Sequence, residues 1–264
     1  MLGFLKKLLG KKNMSKCVIL VPCNGGIEHQ TDNCLRELQH RGYEVWRTPG
    51  YSAIDQGRNR MAYDAIYRCN FGELMWIDSD VVFNPDDVDK LRNSGYDFIG
   101  GAYSFKGWPR MTVQPKNNQS IVFDEKNGGI YEVDCIATGF MYTKASVYKT
   151  IEKKLNLPLC NTSFDAPQIP FFKPDVWMDE GKPYYLGEDF SFCKRAASVG
   201  FKIRLDSRIK LGHVGKYKYD WSDVVNKVGE LPKSDVPLVY EIVGNQVIYK
   251  AGGASPRIYS SSQI

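Results

Sequence analysis

Two carboxylates one residue apart, Asp78 and Asp80, close the apolar run in ELMWIDSDVVFNPDD. If the run is a strand, residues two apart point to the same side, so both carboxylates converge at its carboxyl end. Hard oxygen ligands of that kind suit Mg2+ or Mn2+. The bland alternative is a helix-capping acid beside a solvated one, and a bare Asp-x-Asp leaves both readings open. A second acid pair, Glu188 and Asp189, opens the helical pattern GEDFSFCKRAASVG. Asp189 is either an N-cap or a base able to take a proton from a hydroxyl. His213 stands between Gly212 and Gly215, with Lys216 and Lys218 after it. A lone histidine is usually structural. Here the glycines, the lysines and the upstream acids favour a third metal ligand, with the lysines set to neutralise phosphate. Arg58 and Arg60 lie near the first turn of a helix in DQGRNRMA. They are either solvated charges or, with Arg58 favoured, a contact for a diphosphate oxygen beside Asp80.

The elements that must position these residues alternate. KCVILVPCNGG predicts a buried strand over 17–21 and a turn. TDNCLRELQHRG predicts a helix closed by Gly42, and YEVWRTPG a second strand. AIDQGRNRMAYDAIYRC places Met61, Ala62, Ala65 and Ile66 at helical spacing. ELMWIDSD is a third strand. PDDVDKLRNSG is a helix with Pro85 and Asp86 at its start and Gly95 past its end, and DFIGGAYSF is a fourth strand. This β-α-β series argues for an α/β fold with a parallel sheet flanked by helices. Ligands bind such sheets at the strands' carboxyl ends, where Asp78 and Asp80 fall.

The second half reads as mixed. Asn127-Gly128-Gly129 signals a hairpin, and KASVYKTIEKKL a helix. Residues 157–185 are rich in proline and aromatics, with little periodicity, which suits a lid or binding loop. FKIRLDS predicts a strand and LVYEIVGNQVIYK a further hairpin. One domain is expected over 15–221, between a short basic extension, 1–14, and a C-terminal extension, 222–264, that carries this hairpin.

The 264 residues suffice for one substantial core. With 43% hydrophobic and 25% charged residues, the composition is that of an ordinary soluble globular protein. A net charge of +5 favours a phosphate-bearing ligand or an anionic membrane surface and is too weak to argue for nucleic acid. The 16 tyrosines suit sugars and nucleobases, although many tyrosines simply fill cores. Seven scattered cysteines without a Cys-x-x-Cys pair read as reduced thiols of a cytoplasmic protein. The sequons at Asn118 and Asn161 are then chance matches. No apolar run reaches membrane-spanning length. In MLGFLKKLLGKKN, Phe4, Leu5, Leu8 and Leu9 share one helical face among lysines. Residues 1–12 are therefore either a peripheral contact with the inner face of a membrane or a frayed extension.

In their order and spacing these residues resemble the GT-A glycosyltransferases. The VPCNGG turn resembles that family's base-binding turn, which brings in Pro22, Asn24 and Gly25. Arg58-Asn59, Asp78-Ser79-Asp80, Thr138-Gly139-Phe140, Glu188-Asp189 and His213 follow in the family's order. The resemblance spans Cys17 to about Tyr219, with the inverting family-two type and the fungal mannan-polymerase type nearest. It implies metal-dependent transfer of a sugar from a nucleotide-diphosphate sugar to a hydroxyl of a glycan or lipid-linked acceptor. Asp80 would bind Mn2+ or Mg2+ directly. Asp78 would reach the ribose, or the metal through water. Ser79 belongs with the donor-binding set but is expected to matter least. The acceptor would sit against Gly139, Phe140 and the 157–185 loop, with Asp189 as base if the anomeric centre inverts. Retaining members need no such base, so the stereochemistry stays open, with a lean to inversion from the Glu188-Asp189 match. Two other readings remain. A sugar nucleotidyltransferase would want a glycine-rich, arginine-bearing loop after strand one, and PCNGGIEHQ has neither arginine nor lysine. A non-catalytic glycan- or nucleotide-binding module would need none of these acids.

Overall fold

The run CVILVPC forms β1 (Cys17–Cys23), and all seven of its residues are buried. A strand without a polar face must be covered on both sides. In the computed structural model, which describes residues 16–50, 53–107, 110–179, 181–215, 217–224, 238–243, 246–251 and 257–260, it is. β2 (Glu44–Pro49) and β3 (Glu73–Ile77) flank β1 in parallel register. Their side chains divide by the pleat. Val18, Leu20, Leu74 and Trp76 enter one core cluster, while Ile19, Val21, Met75 and Ile77 enter the other.

Helices α1 (His29–His40) and α3 (Pro85–Asn93) close the second face with Leu35, Leu38, Val88 and Leu91. Helices α2 (Ile54–Tyr63), α4 (Ala145–Leu155) and α5 (Glu188–Ser198) close the first with Met61, Ala62, Tyr148, Ile151 and Phe192. The start of α3 is set locally. Asn84 Oδ1 accepts the Asp86 amide at 3.0 Å, and Pro85 stands where no amide is needed. Helix α2 runs on into one widened turn over Asp64–Arg68, closed by Cys69 N donating to Asp64 O at 3.0 Å.

The main sheet has seven strands. They run in the order β2, β1, β3, Phe140–Lys144, β5 (Phe98–Gly100), Ile203–Asp206, Ile130–Val133. It is mainly parallel, with Phe140–Lys144 and Ile130–Val133 reversed. The series of four strands in the front half is therefore interrupted in space. The apolar FMYTK segment inserts antiparallel between β3 and β5, because its first four residues are buried and need ladder partners on both edges. This insertion brings the Thr-Gly-Phe turn against the end of β3.

The hairpin expected at Asn127-Gly128-Gly129 does not form. The chain does turn there, with Gly128 N donating to Asp124 O at 2.9 Å, but the two arms join different sheets. Ser120–Phe123 pairs with Leu238–Val243, and Ile130–Val133 pairs with Ile203–Asp206. Ser207 wedges between the arms. Its Oγ donates to Val122 O at 2.6 Å and accepts Gly129 N at 3.0 Å. Near the C-terminus, Leu238–Val243 and Gln246–Ala251 form an antiparallel pair, with Tyr240 and Tyr249 stacked at 4.9 Å.

Within the loop expected over 157–185, Asp175–Asp179 and Lys182–Leu186 make a two-stranded hairpin that pairs with no other strand among the described residues. Val176, Met178 and Tyr185 on it are 56%, 62% and 77% exposed, so no core imposes an apolar period on its sequence. Its base is tied to the body. Arg195 of α5 donates to Asp175 at 2.9 Å and to Phe171 O at 3.2 Å, and Asn59 accepts Phe172 N at 2.7 Å. No described helix is long and apolar enough to cross a membrane, and the seven cysteines form no disulfide. The basic segment 1–14 lies outside the described residues.

Candidate active site

β3 ends at Ile77, so the strand pleat does not aim the two acids. Asp78, Ser79 and Asp80 form a turn, closed by Val81 N donating to Asp78 O at 3.2 Å before β4 (Val81–Val82) begins. Three neighbours hold this turn. Asp78 N donates to Gly139 O at 3.0 Å, Glu28 N donates to Ser79 O at 2.9 Å, and Val214 N donates to Asp80 O at 2.8 Å. This backbone clamp, not the pleat, places the two acids, and it sends them to different partners instead of converging them.

Asp78 faces Arg58, whose Nη2 donates to its Oδ1 at 2.8 Å. Arg58 is no surface charge. It is 3% exposed, lies 5.7 Å from the Trp76 ring, and its Nε stands 3.5 Å from Glu188. Burial opposes its charge, but Asp78 and then Glu188 outweigh that and raise its pKa. Its Nη1 has no hydrogen-bond partner among the described residues, an open donor position of the kind that suits an oxyanion. Arg60, by contrast, is about one-third exposed and stands 3.7 Å from Asp64.

Asp80 lies with His213 and Lys106. His213 Nε2 is 3.5 Å from Asp80 Oδ2, and Lys106 Nζ reaches the same oxygen. His213 sits on the strand Gly212–Val214, which pairs antiparallel with β4, and its Nδ1 meets Ser104 O at 2.9 Å. A carbonyl only accepts, so Nδ1 carries the hydrogen and Nε2 is turned to Asp80. Burial raises the Asp80 carboxyl, but His213 and Lys106 outweigh that and hold it down at about 2.

Tyr103 joins the two groups. Its hydroxyl donates to Asp78 Oδ2 at 3.5 Å, and its ring packs edge-on against His213 with centroids 4.8 Å apart. Gly139 leaves room for this contact. A Cβ there would meet Tyr103 Oη at 2.2 Å and Asp78 Oδ2 at 2.7 Å. Tyr103 and Lys106 were not among the residues the sequence singled out. The available signal was their place at the end of the fourth predicted strand, at the same sheet edge as Asp80.

Gly187, not Asp189, caps α5, and both acids lie in its first turn. Asp189 Oδ1 accepts the Phe190 amide at 2.7 Å. Burial, first, and then the Glu188 charge raise its carboxyl to about 6. The Phe190 amide and Arg58 oppose that rise, and Asp78 adds to it. Among the described residues, the ion pairs of Asp78, Asp80 and Glu188 with Lys or Arg are to Arg58 and Lys106.

Other residues are placed as follows. Pro22 is buried in β1 opposite Thr48, whereas Asn24 and Gly25 are exposed in the turn after β1 at the same edge. Lys216 lies outside the described residues. Lys218 packs its stem over Gly212, where a Cβ would meet its Cδ at 2.6 Å. Thr138 is 1% exposed, and its hydroxyl has no partner among the described residues. For the expected metal, the structure brings Asp80 and His213 together while Asp78 turns to Arg58. Among the described residues no group of three His, Cys, Asp or Glu side chains is close enough to hold an ion. Asp80 and His213, the imidazole oriented by Ser104, are the pair brought together there, so a hard divalent cation at this place would need a ligand's own oxygens to complete its shell.

No protein-family model matches the chain, and no curated protein does. Among solved structures, A197 from STIV superposes with a TM-score of 0.50 at 18% identity, over 76% of this chain and 86% of that one. A glycosyltransferase involved in the glycosylation of the major capsid of PBCV-1 gives a TM-score of 0.30 at 21% identity, over 53% of this chain and 65% of that one. The inositol-1-phosphate CTP transferase from T. maritima gives 0.34 at 12% identity, over 80% and 72%. At 18% identity the likeness to A197 speaks to the fold alone. The architecture is mixed α/β: a large, mainly parallel sheet flanked by helices, with small antiparallel sheets beside it.

Proposed function

We propose that the chain is a glycosyltransferase that moves a sugar from a nucleotide-diphosphate sugar to a hydroxyl of a glycan or lipid-linked acceptor. The observation that carries this reading is Asp189, a carboxylate raised to about 6 at the sheet's ligand-binding edge, beside the buried Arg58–Asp78 pair. A carboxylate so poised is ionised at neutral pH yet basic enough to take the acceptor's proton in an inverting displacement. Arg58 holds Asp78 through Oδ1 and Tyr103 donates to Oδ2, and Asp78 so held would accept from the donor's ribose through Oδ2. Asn24 and Gly25, in the exposed turn, are suited to the base. Asp80 and His213 would hold Mn2+ or Mg2+, with Lys218 near the phosphates. The ion would supply positive charge where the diphosphate departs. Residues 1–12 would add peripheral contact with the cytoplasmic face of a membrane that carries the acceptor.

A thermal-shift screen with Mn2+ and UDP-, GDP- and dTDP-sugars identifies the donor, and transfer is then followed by product mass. Asp189→Asn should abolish transfer and spare donor binding. Normal transfer by that variant would remove Asp189 as base. Absence of both donor binding and donor hydrolysis across the panel would sink the enzyme reading in favour of a binding module.

A further inference from the structure

Two groups approach one oxygen of Asp80. Lys106 Nζ stands 2.5 Å from Oδ2, and His213 Nε2 stands 3.5 Å from it. With Nδ1 donating to Ser104 O, Nε2 is the ring nitrogen turned to that oxygen. Lys106 is the cation in direct contact with it. It belongs to a turn that reverses at Gly107, where φ is +74°, and its side chain is 37% exposed. A side chain so exposed has solvent to move into. Its stem runs over Gly215, where a Cβ would meet Lys106 Cδ at 3.1 Å. Gly212, on the other flank of His213, makes the same room for Lys218. Each glycine beside His213 thus clears a path for a lysine stem. Unlike Lys106, Lys218 has no carboxylate partner among the described residues.

We infer that Lys106 is a resident counter-cation of Asp80, which a divalent metal displaces and whose freed ammonium then contacts a diphosphate arriving with that metal. The inference rests on the reading of Asp80 and His213 as metal ligands. It makes the free protein a weak metal binder, because an incoming ion must first break the Lys106–Asp80 pair. It makes the complex with metal and diphosphate tighter, because the ammonium exchanges a carboxylate for phosphate oxygens.

The test is metal binding, not turnover. Mn2+ alone is titrated into wild type, Lys106→Met and Asp80→Asn, with free Mn2+ read by electron paramagnetic resonance and folding checked by circular dichroism. Preformed Mn2+–pyrophosphate is then titrated calorimetrically. Lys106→Met should bind Mn2+ alone about fivefold more tightly than wild type, close to 1 kcal/mol at about 1.4 kcal/mol per tenfold. It should bind Mn2+–pyrophosphate less tightly than wild type, and Asp80→Asn should bind neither. The inference is overturned if wild type binds Mn2+ through Asp80 and Lys106→Met binds it no better. An undiminished affinity of Lys106→Met for Mn2+–pyrophosphate also overturns it. If neither wild type nor Lys106→Met binds Mn2+, the metal reading fails and the inference falls with it.

Discussion

Asp189→Asn separates a catalytic carboxylate from a structural one, because the two roles predict opposite signs for stability. Asn keeps the shape, and its Oδ1 can still accept the Phe190 amide, so the one hydrogen bond found for Asp189 survives. What disappears is a charge that the fold disfavours. The Asp189 carboxyl is raised from 3.8 to about 6 by burial and by Glu188, with Asp78 adding and Arg58 opposing. Tyr103 also faces this group, as a neutral hydroxyl. A raised carboxylate costs stability above its unfolded pKa: the penalty is absent well below 3.8, grows between 3.8 and about 6, and is complete above. A shift of about two units corresponds to about 3 kcal/mol, and with partial solvent access on the order of 1–3 kcal/mol remains. Asp189→Asn should therefore melt a few degrees above wild type at neutral pH, at about 2–4 °C per kcal/mol for a chain of this size. The gap should shrink to about a third of its neutral value near pH 4.5. Thermal melts of both proteins from pH 4.5 to 8, with transfer assayed in parallel, read both quantities. An Asn variant that melts at or below wild type at neutral pH, or a gap that ignores pH, would refute the reasoning. Asp189 would then be a stabilising first-turn acid.

Transfer by wild type should fall about tenfold per pH unit below the Asp189 value of about 6, as its base becomes protonated. A profile flat down to pH 5 would exclude Asp189 as the base. Arg58→Met should cost about 3–5 kcal/mol in urea unfolding, because Asp78 and Glu188 lose their buried counter-charge; a loss below about 1 kcal/mol would mean that the pair is solvated. Gly139→Ala forces its new methyl against Tyr103 Oη and Asp78 Oδ2, with gaps of 2.2 and 2.7 Å. It should cost about 1–3 kcal/mol and weaken donor binding in calorimetry. Gly212→Ala meets only the flexible stem of Lys218, at 2.6 Å, so its stability should stay within about 1 kcal/mol of wild type in the same unfolding assay.

Much of the fold was legible because burial imposes a period. β1 reads as a strand from its apolar run, and α3 reads as a helix since Pro85 and Asp86 mark its start and Gly95 its end, with the Asn84 cap added by the structure. The strand Phe140–Lys144 was legible as apolar but not as the neighbour of β3, because ladder pairing leaves no trace in a segment's own composition. The Asn127-Gly128-Gly129 signal misled for the same reason. A turn sequence specifies a reversal, and Ser207, some eighty residues on, decides whether the arms pair. The hairpin of Asp175–Asp179 and Lys182–Leu186 lacked a period because its apolar side chains Val176, Met178 and Tyr185 stay exposed.

At the site, residue types and local pattern were enough to single out Asp78, Asp80, Glu188, Asp189, His213 and Arg58. The sequence also determined their edge, since strands and helices alternate and the acids close a strand. The partnerships came from the fold. It gave Asp78 to Arg58, gave Asp80 to His213 and Lys106, placed Tyr103 between them, and raised Asp189 by burying it beside Glu188. The physical reason is distance. Residue types and local periods follow from neighbours along the chain, whereas Coulomb terms and desolvation depend on neighbours in space, and those are set by strand order and by the turn that Gly139, Glu28 and Val214 hold.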